Sequence, residues 1–467
     1  MKDELLRILR PYGQEHLLAF WDHLDADRQE SLARQIRAID WPLIERLYRG
    51  RDDQADFGQL AGRTQGVPRP PPAFRLQTAE NRFTPRQARD SGRQALSAGY
   101  LGVIVVAGGQ GTRLGFDHPK GMFPIGPVSG RSLFAVHVEK ILAVGRRYGV
   151  RIPLWLMTSP ATHDETVEFF GRHRRFGLAE DDLRIFCQGT MPAVDAATGK
   201  VLLDRPDRLA LSPDGHGGTL AALADSGALK EIGQRGIRQL FYLQIDNPLV
   251  EICGPELIGY HLLSGSEMTT QVIAKREPLE RVGNVVEVGG RLMVIEYSDL
   301  PDQLARRRKP DGSLEIWAGS IAVHVIDTGL LERMADRADG LPFHLAHKKV
   351  AYLDPAGRRI EPEGPNAIKF ERFIFDLIPW AHNAIVVEVD PAQGFAPLKS
   401  ASGAQRDTPE TVKAQMVALH RQWLRRAGAE VADGVDVELS PLWALDADEL
   451  AAKIPPGTRV TEPTYLR

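Results

Sequence analysis

Cysteine is nearly absent from this chain. Cys187 and Cys253 are the only two in 467 residues, and each sits in an apolar stretch. Two distant cysteines make neither a disulfide framework nor a Cys/His zinc spacing, which fits a reducing compartment. Long apolar runs are missing too. No stretch approaches the length needed to span a bilayer, and the opening MKDELLRILRPYGQ carries no signal-type apolar core. An excess of one charge is also lacking: 58 Lys and Arg face 61 Asp and Glu, for a net charge of −3, so no basic field points to nucleic acid. The expectation is a cytoplasmic protein with neither nucleic-acid nor membrane partners, a monomer or weak homo-oligomer. No Ser-His-Asp set and no paired carboxylates stand out.

What remains is an ordinary globular composition, with 43% apolar and 25% charged residues. The length implies two or three domains. Apolar residues recur at helical spacing through the first 50 residues: Leu5, Leu6, Ile8 and Leu9, then Leu17, Leu18, Phe20, Trp21 and Leu24, then Leu32, Ile36, Ile39 and Ile44. A proline-rich stretch, GVPRPPPAF, reads as an extended wrap or linker within residues 51–80. A short helix is expected over 91–98. Strands and helices then alternate: strand 103–107, helix Leu133–Tyr148, strand Leu154–Thr158, a helix through Val167 and Phe170, strand 183–188, helix 220–232 and strand 239–246. This alternation predicts an α/β fold with a doubly wound, mostly parallel, Rossmann-like sheet. Period-2 apolar positions around Gly289 and Gly290 predict an antiparallel hairpin added to it. A helix over 408–427 and short strands beyond it predict a small α+β C-terminal lobe. The expected domains are 1–98, 99–399 and 400–467.

The segment GVIVVAGGQGTRLGFDHPKGMFPIG, residues 102–126, carries the most chemistry. An apolar strand breaks into Gly108, Gly109 and Gly111, followed by Arg113 and Lys120. Glycines let backbone N–H groups approach an anion, and the two cations add fixed charge: this is a polyphosphate loop. It is not G-x-x-x-x-G-K-[ST], because Lys120 is flanked by Pro119 and Gly121. It is not the dinucleotide fingerprint either, because the spacing Gly109, Gly111, Gly115 is one residue too long. In an open α/β sheet the loop lies beyond the carboxyl ends of the strands, where ligands bind.

Three further motifs are candidates. QLFYLQIDN ends a strand in Asp246, placed to hold Mg²⁺ against phosphate oxygens or, alternatively, to cap the next helix. LSPDGHGG puts glycines around His216 at a helix start, either presenting backbone N–H groups or forming a plain turn. GFAPLKS carries Lys399, on its own an ordinary surface lysine. The run Arg306, Arg307, Arg308, Lys309 reads as a solvated face.

The phosphate loop resembles the G-G-x-G-T-R-L-G-x-x-x-P-K signature of nucleotide-sugar pyrophosphorylases. GQEHLLAFWDHL, QIDNPLV, VIEYSDL, LPFHLAHKKVAYLD, GPNAIKFERFIFDL and FAPLKSA resemble further blocks of the UDP-sugar pyrophosphorylase family in the same order, over nearly the whole chain. The acetylhexosamine branch is nearest in pattern. The resemblance implies a nucleotidyltransferase: a uridylyltransferase acting on UTP and a sugar 1-phosphate with Mg²⁺, the sugar being N-acetylglucosamine or, alternatively, glucose or a broad range. By the same resemblance Gly108, Gly109, Gly111, Arg113 and Lys120 hold the triphosphate, Gln188 and Gly215 contact uracil, and Asp246 binds the metal. His216, Gly283, Glu296, Ser320, Phe373 and Phe375 contact the sugar, and Lys399 neutralises its phosphate. Two positions depart from the acetylhexosamine pattern. GHGG stands for G-N-G-G, with His216 as in the UDP-glucose enzymes, which continue with Asp where this chain has Gly218. WAGSIAVH stands for N-A-G-N-I-A-N-H, with Ser320 at a sugar-contacting position. A non-catalytic sugar-nucleotide sensor would lack some of Arg113, Lys120, Asp246 and Lys399, and all four are present. An NAD-dependent oxidoreductase fails on the glycine spacing.

Overall fold

The computed structural model describes residues 1–50, 67–77, 79–337 and 340–467. The chain divides into two compact units. The first comprises Met1–Gln65, Gln188–Gly218 and Asp339–Asp376, and the second Gly66–Cys187, Thr219–Ala338 and Leu377–Arg467.

In the first unit, helices Lys2–Leu9, Ala26–Arg37 and Trp41–Arg49 follow from the N-terminal periodicity. The Asp25 and Asp40 side chains cap the last two by accepting from the Arg28 and Leu43 N–H groups. The stretch between Gly13 and Asp25 departs from expectation. It folds as single 3₁₀ turns, Glu15–Leu18 and Trp21–His23. Turns of this kind share the i, i+3 spacing of an α-helix, so apolar spacing alone does not separate the two. Leu5, Leu9, Leu17, Trp21, Leu32 and Ile36 pack with Val194, Leu209 and Phe370. In a three-stranded antiparallel sheet, Ala367–Glu371 lies between His344–Lys348 and Val194–Asp195.

The second unit is built on a ten-stranded sheet. Its strands are β1 (Ala73–Phe74), β2 (Leu101–Val106), β3 (Leu154–Thr158), β4 (Leu183–Cys187), β5 (Gln239–Gln244), β6 (Met268–Ala274), β7 (Gly283–Val288), β8 (Arg291–Ile295), β9 (Ala318–Asp327) and β10 (Ala384–Glu388). The order is β1-β10-β6-β9-β5-β2-β3-β4, and the β7–β8 hairpin pairs with β9. β9 runs antiparallel to β5 and β6, and the other pairings along that path are parallel. The central strands are apolar almost throughout, as parallel strands covered on both faces should be. The β2 and β5 runs Val103–Val105 and Leu240–Leu243 are at most 1% exposed. The mostly parallel α/β sheet with an antiparallel hairpin is as expected, and the hairpin turns at Gly289 and Gly290.

Several helix and strand bounds differ from the sequence reading. The helix expected over 91–98 runs Pro85–Ser97, because Thr84 and Gln87 form a capping box that starts it earlier. The helix expected over 220–232 is two, Thr219–Asp225 and Ala228–Gln234, split at Gly227, whose φ is 75°. β5 ends at Gln244, which leaves Asp246 on the loop beyond it. Of the proline-rich wrap, residues 51–66 lie outside the described residues. Residues 67–75 carry no helix, as expected of a wrap, and β1 adds to the sheet beside β10. Helix Pro409–Arg426 carries a second core of Val417, Leu424, Val437 and Leu450.

Helices Pro85–Ser97 and Pro255–Leu263 touch backbone to backbone. A Cβ on Gly259 would lie 1.7 Å from the Ala88 carbonyl oxygen, and one on Gly92 1.9 Å from that of Pro255. Gly259→Ala is therefore expected to destabilise the protein by about 3 kcal/mol in urea unfolding, since overpacking outweighs the roughly 1 kcal/mol gain in helix propensity. An unchanged midpoint would contradict this close approach.

Candidate functional site

β2 and β5 are parallel neighbours in register, with Val106 opposite Gln244. Their carboxyl ends therefore open side by side, and the loop after each leaves from the same edge. The β2 loop folds back on itself. Gly111 N–H donates to His118 O at 2.8 Å, and Lys120 N–H to Gly109 O at 3.0 Å. This closure returns Lys120 beside the start of its own loop. A Cβ on Gly109 would meet nothing within 4 Å. Packing does not require glycine there, whereas open access to backbone N–H groups does. Arg113 is exposed, and among the described residues no carboxylate lies within 4 Å of its guanidinium. Ser159 Oγ donates to Gly108 O at 2.7 Å and holds the loop's first turn.

From β5 comes Asp246, 8% exposed, with its Oδ2 3.8 Å from Lys120 Nζ. The same Lys120 Nζ donates to Leu398 O at 3.3 Å, and Leu398 N–H donates to Asp246 O at 2.8 Å. Lys399, next in the chain, is exposed and is fastened at its backbone, where Lys399 and Ser400 N–H both donate to Asp407 O at 2.9 Å. The glycine loop, Lys120, Asp246 and Lys399 thus share one corner of the second unit. Asp407 was not legible as a member of it. Burial raises its carboxyl, while the charges of Lys399 and Arg276 pull the other way.

Gly283, Glu296 and Ser320 are also brought together in this unit. A Cβ on Gly283 would lie 3.6 Å from Glu296 Oε1 and 3.8 Å from Ser320 Cβ. β7 pairs Gly283 with Ser320 directly.

In the first unit, His216, Phe373 and Phe375 form a ring cluster, with centroids 5.2 Å apart for His216–Phe373 and 5.0 Å for Phe373–Phe375. Ile374 N–H donates to His216 Nδ1 at 3.2 Å, which places the imidazole proton on Nε2. Burial, helped by the charge of His344, pushes His216 down to about 4, so the ring is neutral at pH 7. His344 packs on Phe373 at 4.6 Å, and its Nε2 lies 2.8 Å from Asp376 Oδ2. That pair, 32 residues apart, gave no sequence signal. Gly215 N–Cα turns at φ 85° against Arg372, and Gln188 is 6% exposed. Asp214 is wedged between two glycines, because a Cβ on Gly218 would lie 2.2 Å from its Oδ1 and one on Gly189 3.0 Å from its Oδ2. Burial pushes its carboxyl up to about 6, opposed by Arg372.

Among the described residues no group of three or more His, Cys, Asp or Glu gathers as a metal cage. A single inward carboxylate beside a phosphate loop is instead the donor set Mg²⁺ takes when phosphate and water complete its shell. Asp246 fits that description. The run Arg306 to Lys309 is exposed, as expected of a solvated face. Among the described residues no helix is long and apolar enough to cross a membrane.

Comparison with known proteins places the chain in a family. The family model described as UTP–glucose-1-phosphate uridylyltransferase matches residues 71–427. The human UDP-N-acetylhexosamine pyrophosphorylase-like protein 1 is 36% identical over 441 residues, covering 91% of this chain and 86% of that protein. The UDP-N-acetylglucosamine pyrophosphorylase of Saccharomyces cerevisiae is 34% identical over 440 residues, covering 92% of each. The fold is that of the uridine diphosphate N-acetylglucosamine pyrophosphorylase of Trypanosoma brucei, with a TM-score of 0.81 over 98% of both chains at 24% identity. With the glycine loop, the strand-tip aspartate and the late lysine gathered at one sheet edge, the chain belongs to the UTP–glucose-1-phosphate uridylyltransferase (UDPGP) family.

Proposed function

We propose that this protein transfers a uridylyl group from UTP to N-acetylglucosamine 1-phosphate, forming the UDP-sugar and releasing diphosphate, and that it runs the reverse reaction. The observation that carries the reading is the register of β2 and β5, which brings Lys120 within 3.8 Å of Asp246 and ties both to the chain bearing Lys399.

The nucleophile is a phosphate oxygen of the sugar phosphate, largely dianionic near pH 7 because its second pKa is about 6. It needs no general base. The barrier is the approach of one anion to another, so catalysis is positioning and charge neutralisation. The loop backbone around Gly109, with Arg113, receives the triphosphate, and Gly111 closes the loop through its bond to His118 O. Lys120 bridges toward the α-phosphate, Lys399 neutralises the incoming phosphate, and attack is in line on the α-phosphorus with diphosphate leaving. Mg²⁺ held by Asp246 supplies Lewis-acid neutralisation of phosphate charge when bound. Gln188 and Gly215 are assigned to uracil. Gly283, Glu296, Ser320, His216, Phe373 and Phe375 are assigned to the sugar.

His216 supports a second reading, glucose 1-phosphate, since the UDP-glucose enzymes carry histidine there. Gly218 keeps the acetylhexosamine pattern and favours the acetylated sugar. An aspartate there, as in the glucose pattern, would require the Asp214 carboxylate to shift, since a Cβ on Gly218 would lie 2.2 Å from its Oδ1. The test is a panel of sugar 1-phosphates. kcat/KM for N-acetylglucosamine 1-phosphate is expected to exceed that for glucose 1-phosphate by at least about tenfold, a margin of one or two lost polar contacts. Restoring asparagine, His216→Asn and Ser320→Asn, is expected to widen the ratio. A ratio at or below one in the parent would assign the protein to glucose instead.

A further inference from the structure

Residues 245–254 carry Asp246 away from the sheet, and Ile245, Leu249, Val250, Ile252 and Cys253 anchor them in the apolar core on either side of Asp246 and Asn247. A cavity of about 570 Å³ lies against them, lined by Pro248, Leu249, Ile252, Lys140 and Gly394 among others. None of the glycine-loop residues, Asp246 or Lys399 lines it. Polar bonds add to that packing and fix the two residues between the apolar anchors.

Helix Leu133–Tyr148 supplies some of these. His137 Nε2 is 3.0 Å from Ile245 O, and Lys140 Nζ donates to Pro248 O at 2.5 Å and Val250 O at 2.9 Å. Asn247 supplies a different kind of bond. It is 3% exposed, its Nδ2 donates to Gly394 O at 2.9 Å, and its Oδ1 accepts from Ala396 N–H at 2.9 Å and Leu249 N–H at 3.3 Å. Gly394 and Ala396 lead straight into Leu398 and Lys399. The Asn247 amide and the Leu398-to-Asp246 backbone bond at 2.8 Å are therefore two rungs joining the chain that bears the strand-tip carboxylate to the chain that bears the phosphate lysine. Lys120 closes the same frame through Leu398 O.

We propose that Asn247 is a positioning residue whose amide sets the separation of the Asp246 carboxylate from the Lys399 ammonium, and so decides whether both charges act on one phosphorus. The inference rests on the uridylyl-transfer reading. The Asn247 amide is spent on protein partners, Gly394 O, Ala396 N–H and Leu249 N–H. Without its amide, the Gly394 carbonyl and the Ala396 N–H lose their partners and the two chains can part. A misplacement of about 1 Å is enough to cost on the order of 100-fold in rate.

The test uses variants that keep the local turn. Asn247→Ser retains an acceptor for Leu249 N–H but cannot reach Gly394 or Ala396. Asn247→Asp keeps both acceptor bonds, loses the donor and sets a carboxylate oxygen against Gly394 O. In Asn247→Ser, kcat is expected to fall about 100-fold with KM for UTP within about threefold. Mn²⁺ half-saturation in the presence of UTP, read by EPR, is expected to rise about tenfold. Asn247→Asp is expected to recover at least about tenfold of the lost kcat. A folded Asn247→Ser protein with parental kcat and Mn²⁺ titration would overturn the proposal. Equal losses in both variants with an unchanged titration would do the same, since they would mark a purely structural role. Gly394→Val attacks the bridge from its other end, because a Cβ there already lies 2.9 Å from the Val389 side chain. It is expected to weaken Mn²⁺ binding and lower kcat in the same sense, and parental values for both would also overturn the proposal, even if Asn247→Ser did not fold. A parent that releases no diphosphate would sink the reaction reading alone, because the Mn²⁺ titrations still report on Asn247.

Discussion

Lys399→Ala is expected to lower kcat by about two to four orders of magnitude, as removal of a transition-state charge donor does. The lysine's structural interaction, the charge it sets opposite the Asp407 carboxyl, would not account for such a loss. Its side chain is exposed, and among the described residues no carboxylate lies within 4 Å of its ammonium. The bonds that hold this stretch are made by backbone, from Lys399 and Ser400 N–H to Asp407 O and from Leu398 N–H to Asp246 O. They survive the substitution. The melting temperature should accordingly stay near the parent's while turnover collapses. Steady-state diphosphate release at saturating UTP decides the matter, and a variant with near-parental kcat would strip Lys399 of this role.

Asp246→Ala is expected to remove metal-dependent turnover, by about three orders of magnitude or more, with no recovery at high Mg²⁺. The carboxylate is a single, nearly buried oxygen donor at a strand tip, 3.8 Å from Lys120. Among the described residues no group of three or more His, Cys, Asp or Glu offers an alternative metal cage. Rate against Mg²⁺ concentration is the readout. A variant that titrates with the parental half-saturation places the metal elsewhere.

Much of this arrangement was legible in the sequence, for physical reasons that can be named. Strands buried on both faces read as unbroken apolar runs, so β2, β3 and β5 stood out, and with them the parallel sheet and the place where its loops open. The glycine loop was legible because packing alone would not ask for glycine at 109 with cations at 113 and 120. The β7–β8 hairpin was legible from period-2 alternation around two glycines.

The rest escaped because it is tertiary or because two structures share one pattern. Apolar spacing runs straight through Ser226 and Gly227, so the split helix looked continuous. The 3₁₀ turns around Leu17 and Trp21 bury the same residues an α-helix would. Lys399 is indistinguishable in sequence from a solvated lysine, and only family resemblance singled it out. It becomes distinctive once Leu398 is seen paired with Asp246. Asp407, the His344–Asp376 pair and the Asn247 bridge each join residues that no local pattern connects. The crowding of Asp214 against Gly218, which bears on the sugar, is likewise invisible until the backbone is folded.

The account depends on two like-charged ligands being held together by the cations at the end of β2 and β5. The most direct measurement follows the purified protein with UTP, Mg²⁺ and N-acetylglucosamine 1-phosphate, quantifying diphosphate and UDP-sugar in the same reaction. Saturable formation of both products in equal amounts is the predicted result. No diphosphate from this or any other hexose or hexosamine 1-phosphate would contradict it.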